Sequence, residues 1–96
     1  ALEHATNARE QQPQSGSIAD TLGWIYRDLG DYANAVKHLR EARRMSPGNK
    51  TIEYHLAATL ADAGANDEAR EILAGLLRSN VPFPSRSDAE ALMARL

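Results

Sequence analysis

Cysteine is absent from the 96 residues of the chain. The fold therefore contains no disulfide and no zinc site with thiolate ligands, which are two common means of stabilising small domains. Aromatic residues are scarce, with one Trp, three Tyr and one Phe. No apolar run reaches the roughly 18 residues that a membrane-spanning helix needs, so none is predicted. These absences leave the compartment open, since cytoplasmic and periplasmic chains can both lack cysteine.

The charges are almost balanced, with 11 Lys and Arg against 13 Asp and Glu and a net charge of −2. A field of this sign does not favour nucleic acid or an anionic membrane surface. One stretch is locally basic, and we interpret it as a solvated helix face; it contains Lys37, Arg40, Arg43 and Arg44.

Motifs for catalysis, cofactors or metals are also lacking. There is no phosphate-binding glycine loop, no G-x-S-x-G and no nucleophile beside a base. His4 and His38 occupy one repeat position, so stacking would place them one repeat apart on an outer surface. A metal site needs more ligands in a closer array, and we interpret both as solvated surface histidines. The sequence therefore predicts a chain that is not an enzyme and has no cofactor or metal.

The strongest positive signal is an internal repeat of 34 residues. At this offset five residues meet an identical residue one period later: Ile18, Leu22, Gly30, Ala35 and Leu39. The offset also aligns 1–13 with 35–47. We therefore expect four segments: 1–15 as the second helix of a truncated upstream repeat, 16–49 as a full unit, 50–83 as a degenerate unit and 84–96 as a capping helix.

Apolar residues within the units follow a helical period and predict about six helices and no strands. The first stripe consists of Ile18, Leu22, Ile25, Tyr26 and Leu29. Ser17 with Asp20, and Ser87 with Glu90, resemble capping boxes, and Asn49 is a candidate N-cap. The glycine in mid-helix, Gly23, predicts that another helix approaches closely there, because a helical glycine otherwise costs about 1 kcal/mol.

The first unit carries a motif of a known repeat family. It contains Ala19-x2-Leu22-Gly23-x2-Tyr26, followed by Ala35-x3-Leu39 and a closing Pro47. This pattern resembles the tetratricopeptide repeat, W-x2-L-G-x2-Y with A-x3-F and a final Pro. The resemblance implies an all-α, right-handed α-α superhelix built from antiparallel helix pairs. The "DTLGW" element is similar to the C-terminal repeats of long bacterial tetratricopeptide proteins, some of which belong to exopolysaccharide-linked or PEP-CTERM export systems.

In this family the first helices of the pairs line a concave groove that binds peptides or helices. The resemblance therefore predicts a protein-binding groove formed by Asp20, Trp24, Arg27, Asp28, Tyr54 and Asp62. Trp24 lies away from the apolar stripe of its helix, where an aromatic ring surrounded by polar groups resembles a binding hot spot. The resemblance argues against a chaperone tail as the ligand, because Asp20, Trp24 and His55 stand where the family has some residues of its carboxylate clamp.

Three questions remain open from the sequence alone. Trp24 could instead lean onto the neighbouring first helix and fill space left by Ala19, where the family often has Trp; His55 could be a groove-edge contact or a packed imidazole. The whole segment could also be a structural spacer or the end piece of a longer array that binds no ligand. Apolar surface at the open solenoid ends would then favour a homodimer.

Overall fold

The structure is a computed structural model that describes all residues from Ala1 to Leu96. It contains six helices and no strand, as predicted. The helices are α1 (Leu2–Gln11), α2 (Gly16–Asp28), α3 (Tyr32–Met45), α4 (Lys50–Asp62), α5 (Asn66–Leu77) and α6 (Arg86–Arg95).

Helices that are neighbours in the chain pack against each other, and α2 also contacts α4. This order is that of a solenoid, in which each helix pair stacks on the next pair. Four leucines at the centre of the stack are almost completely buried: Leu22, Leu39, Leu56 and Leu73. They come from α2, α3, α4 and α5 in turn, so the core runs along the stack. The predicted all-α fold of stacked helix pairs is confirmed.

Glycines end the first helix of each pair. Gly30 follows α2 with φ +79° and Gly64 follows α4 with φ +87°. Residues with a Cβ rarely adopt this left-handed conformation, so glycine allows the chain to reverse sharply into α3 and α5. Leu29, which was expected in the buried stripe, is 63% exposed. The prediction was wrong because α2 ends at Asp28 and Leu29 already belongs to the turn.

The helix starts correct two sequence predictions. The N-cap of α2 is Ser15, whose Oγ accepts a hydrogen bond from the Ile18 amide at 3.2 Å. The expected capping box at Ser17 is therefore wrong. Likewise α6 begins after Ser85, so Ser87 is inside the helix and caps nothing. Asn49 does cap α4, accepting from the Ile52 amide at 3.0 Å.

The mid-helix glycine of α2 lies at the close contact predicted for it. A Cβ atom at Gly23 would come within 2.7 Å of Leu39 Cγ and 3.1 Å of the Ala35 carbonyl oxygen. Both atoms belong to α3, so the absence of a side chain at Gly23 sets how closely α2 and α3 pack.

Polar side-chain pairs connect the second helices of adjacent helix pairs, α1 to α3 and α3 to α5. Arg9 Nη2 of α1 lies 2.6 Å from Glu41 Oε1 of α3. The Arg40 guanidinium of α3 donates two hydrogen bonds to Glu68 of α5, at 2.6 and 2.9 Å. Glu68 of α5 therefore neutralises Arg40 on the basic face of α3, whereas in the first pair α3 supplies the acid and α1 the cation.

His38 is not the solvated histidine that the sequence suggested. Its side chain is only 16% exposed, and its ring stacks on Tyr26 with a centroid separation of 5.5 Å and an interplanar angle of 4°. Burial lowers the pKa of His38, and the nearby cations of Arg9 and Lys37 lower it further, while Glu41 opposes them. His4, its repeat equivalent, is exposed.

The last helix is fixed to the stack by arginines at both of its ends. Arg86, at the start of α6, donates to the Ser79 carbonyl at 2.7 Å and lies 5.8 Å from the centroid of the Phe83 ring. Arg70 of α5 donates to the Leu96 carbonyl at 2.7 Å. These bonds satisfy carbonyls beyond α5 and α6, where helices leave acceptors without partners.

Candidate functional site: the face formed by α2 and α4

The predicted groove residues lie on two helices that contact each other. We call this surface the α2–α4 face and define it as Asp20, Trp24, Arg27, Asp28, Tyr54, His55 and Asp62. Both helices are the first members of their pairs, so the 34-residue repeat places them side by side.

Trp24 stacks on the imidazole of His55. The ring centroids are 4.0 Å apart and the planes are inclined by 27°. His55 Nδ1 lies 2.7 Å from Asp20 Oδ1, and because a carboxylate only accepts, Nδ1–H is the donor. The side chains of His55 and Asp20 are 20% and 15% exposed. The hydrogen bond from His55 of α4 to Asp20 of α2 therefore holds the imidazole against the indole of α2.

Arg27 contacts the same indole. Its guanidinium carbon lies 4.3 Å from the Trp24 ring centroid, within the range of a cation–π interaction. Its Nε donates to Asp62 Oδ2 of α4 at 2.7 Å. Asp28 is 65% exposed, and its Oδ1 is 3.7 Å from Arg27 Nη1, too far for a hydrogen bond. Among the acids of the face, Asp28 is therefore the one with the most solvent access.

Tyr54 completes the aromatic part of the face. It is half-buried and packs against the main core cluster, with its ring 6.1 Å from that of His55 and tilted by 53°. Burial raises the pKa of the Tyr54 hydroxyl, and Asp88 of α6 raises it further, whereas Arg27 and Arg95 lower it. The pKa of this hydroxyl thus depends on charged residues of α2 and α6 and on Asp62 of its own helix, which also raises it.

The structure brings the six predicted residues to one surface and adds His55 at its centre. The sequence analysis left His55 as an edge contact or a packed imidazole. A second periodicity would have pointed to it: Asp20 and His55, and likewise Arg27 and Asp62, are complementary residues 35 positions apart. This is one repeat plus one residue, the offset at which α2 and α4 side chains meet.

The alternative role of Trp24 is half right. Its indole does lean onto the next first helix, through His55. It does not fill space beside Ala19, because Ala19 is fully buried against Ala42 and Ile52 in a separate small cluster. Trp24 is partly buried and packs against the larger core cluster, which contains Leu56 and Ala58.

Other surfaces offer less. No group of three or more His, Asp and Glu side chains is placed to hold a metal ion, and none of the six helices has the length and apolar character to cross a membrane. A depression of about 430 Å³ lies on α1, away from the α2–α4 face. Its lining comes from a single helix and consists of Leu2, Glu3, Thr6 and Asn7.

Stacked helix pairs with side-chain contacts about one repeat apart define a helical-repeat scaffold. The chain belongs to the tetratricopeptide repeat family, whose model matches residues 26–96; the family predicted from the sequence is therefore confirmed. Cellulose synthase operon protein C of Xanthomonas axonopodis pv. citri (strain 306) is 34% identical over 70 residues. That match covers 73% of this chain and only 5% of the relative's length. Repeats of this family generally mediate protein–protein interaction.

Proposed function

We propose that this chain is a non-catalytic scaffold that binds a peptide or helix of a partner protein on the α2–α4 face. The observation that carries the proposal is the presence of two half-buried aromatic side chains, Trp24 and Tyr54, beside His55 on the surface of stacked first helices. Aromatic residues that are partly desolvated and surrounded by polar groups are the usual anchors of protein interfaces.

The charges suggest how a partner would be aligned. Asp20 is occupied by His55 and Asp62 by Arg27, so neither acid is free in the unbound chain. Asp28 remains largely exposed. We infer that Asp28 at the edge sets the register of the partner by pairing with a cationic group, while the apolar contacts supply most of the affinity.

The Asp20–His55 pair also resembles two members of a catalytic triad, which raises an enzyme as an alternative. The hydroxyls on the same helices argue against it. Thr59 is fully buried and its Oγ1 donates to the His55 carbonyl at 2.8 Å. Thr21 Oγ1 donates to the Ser17 carbonyl at 3.1 Å. Neither of these hydroxyls, nor that of Ser17 or Thr51, is hydrogen-bonded to the imidazole, whose partner is Asp20. We therefore infer that the pair has a structural role.

The second candidate function is that of a spacer within a longer repeat array. One observation favours it: the polar groups beside Trp24 satisfy each other across α2 and α4, as packing alone would require. Self-association through the solenoid ends stays a prediction. The large apolar side chains that are exposed, Leu29 and Val81, lie outside α1 and α6.

Binding of nucleic acid is not part of the proposed function. Arg40 is engaged by both oxygens of Glu68, while Lys37 and Arg44 remain exposed on α3. Two exposed cations on a chain of net charge −2 form a small footprint for a polyanion.

The experiment that separates binding from spacing is a pull-down with purified wild type, Trp24→Ala, Tyr54→Ala and Leu29→Ala. Leu29 is a matched control because it is a large exposed apolar residue just beyond α2. We expect a partner that wild type and Leu29→Ala retain and that both aromatic variants lose, provided their helical content and melting are intact. The relative's name makes components of cellulose synthesis the first proteins to test. A partner retained equally by all four proteins would contradict the proposed site, and the absence of any partner would favour the spacer.

A further inference from the structure

Arg27 covers part of the aromatic ring that the proposed function assigns to the partner. We propose that Arg27 and Asp62 form a displaceable latch over Trp24, and that an apolar side chain of the partner replaces the guanidinium on the indole. The role of the partner rests on the proposed function, whereas the latch is a property of the free chain.

The Arg27 side chain lies over the indole of its own helix and is bonded to the other helix. Its guanidinium carbon lies 4.3 Å from the indole centroid, and Nε is held by Asp62 on the other helix at 2.7 Å. The same side chain thus touches the ring and bridges α2 to α4. The nearest other acid, Asp28, approaches Arg27 only to 3.7 Å.

The contacts of the latch are weak enough to open. The side chains of Arg27 and Asp62 are 29% and 36% exposed, and ion pairs with this degree of hydration contribute little net stability. A cation–π contact near the surface is similarly modest. We expect closing the latch to weaken partner binding about tenfold, which a partner can overcome.

The other neighbour of the indole is held more firmly. The side chains of His55 and Asp20 are only 20% and 15% exposed, and the imidazole stacks on the indole with centroids 4.0 Å apart and planes inclined by 27°. Opening this side would leave a buried carboxylate without its donor, which is costly. The asymmetry makes His55 the fixed support of Trp24 and Arg27 the movable cover.

The first test uses the fluorescence of Trp24, the only tryptophan of the chain. Asp62→Asn weakens the tether and preserves side-chain shape, while Arg27→Ala removes the cover. We expect the acrylamide quenching constant to rise about twofold in Asp62→Asn and at least as much in Arg27→Ala. The matched control is Asp67→Asn, which removes an exposed ion pair with Arg70 on α5 at 2.7 Å and should leave the constant unchanged. Wild-type quenching in Arg27→Ala would show that Arg27 does not cover the indole.

The second test asks whether an apolar group takes the place of the guanidinium. The probe is N-acetylphenylalaninamide, which is neutral and carries one apolar ring, and the readout is the NMR shift of the Trp24 indole N–H in the folded full chain. We expect binding about tenfold tighter in Asp62→Asn than in wild type or Asp67→Asn. Equal binding by the three proteins, or none, would overturn the latch as a control on ligand access. The proposed function fails separately, if Trp24→Ala leaves partner capture intact.

Discussion

Asp20 and His55 are 35 residues apart in the chain and hold α2 against α4 through a 2.7 Å contact between Nδ1 and Oδ1. Three ion pairs also connect helices of adjacent repeats: Arg27 with Asp62, Arg9 with Glu41, and Arg40 with Glu68. The first helices and the second helices are therefore each tied along the stack. Apolar packing is non-directional, so these pairs supply directional contacts that can specify how one helix pair is seated on the next.

Double-mutant cycles should rank these pairs by burial. For Asp20→Ala with His55→Ala we expect a coupling free energy of about 1 to 2 kcal/mol, because both side chains are largely buried. For Arg40→Ala with Glu68→Ala, whose side chains are 44% and 36% exposed, we expect about 0.2 to 1 kcal/mol. Urea unfolding at low and high salt measures both. The prediction is wrong if the exposed pair couples more strongly or if only the Asp20–His55 coupling disappears in salt.

Two glycines on different helices should respond in opposite ways to alanine. Gly23→Ala places a Cβ atom 2.7 Å from Leu39 Cγ, so overpacking should cost about 1 to 3 kcal/mol despite the better helix propensity. A Cβ atom at Gly75 of α5 would meet no atom of another helix within 4 Å, so Gly75→Ala should stabilise the fold by up to about 1 kcal/mol. Thermal and urea unfolding of the two variants provide the comparison. A gain in stability for Gly23→Ala would contradict the close approach of α2 and α3.

The helix pairs were predictable because the residues that form and end the helices recur at a fixed spacing in the sequence. The 34-residue offset and the glycines at Gly30 and Gly64 recur in the sequence, and the structure places them at equivalent turns. The exact helix starts were not predictable, because the residue pattern of a capping box also occurs by chance where no such cap forms. Asp20 fitted such a box with Ser17, but in the fold its carboxylate turns to His55, a residue that only tertiary packing brings near.

The residues of the α2–α4 face could be predicted as a set, but the contacts among them could not. Helical geometry placed Trp24 away from the apolar stripe of its helix, and the resemblance added Tyr54; both side chains are half-buried in the structure. Which groups cover the indole depends on side-chain directions across two helices, and the 34-residue alignment does not contain that information. Whether this surface binds a protein, and where each repeat begins and ends, stay predictions.

The stability of the fold should fall on mild acidification because of His38. Its pKa in the folded chain is lowered, chiefly by burial, from the ordinary value of 6.5. The unfolded chain therefore takes up a proton first as the pH falls. The stabilising contribution is complete above 6.5 and is lost as the pH falls through the pKa of the folded chain. We expect the free energy of unfolding to decrease from pH 7.5 to 5.5.

Variants can assign that acid sensitivity to a single residue. His38→Phe keeps a ring against Tyr26 and removes the titration, so its stability should change less over this pH range. His4→Gln alters an exposed histidine of the same repeat position and should behave as wild type. Glu41 does not confuse the result, because Arg9 lowers the pKa of this carboxyl below 4.5 and its contribution is lost only at more acidic pH. An unchanged pH slope in His38→Phe would contradict the assignment.

Restoring the tryptophan that the family often has in its first helix should destabilise this chain. Ala19 occupies that position and is fully buried against Ala42 and Ile52, so Ala19→Trp has no room and should cost at least about 1 to 3 kcal/mol. Truncating a neighbour in the double variant Ala19→Trp, Ile52→Ala should recover part of this loss. The matched control is Glu53→Trp, one repeat later, where the native side chain is only half-buried and a larger one can extend towards solvent. Urea unfolding compares the three. A family-like tryptophan that stabilised the fold would show that the small cluster has space that the native side chains do not fill.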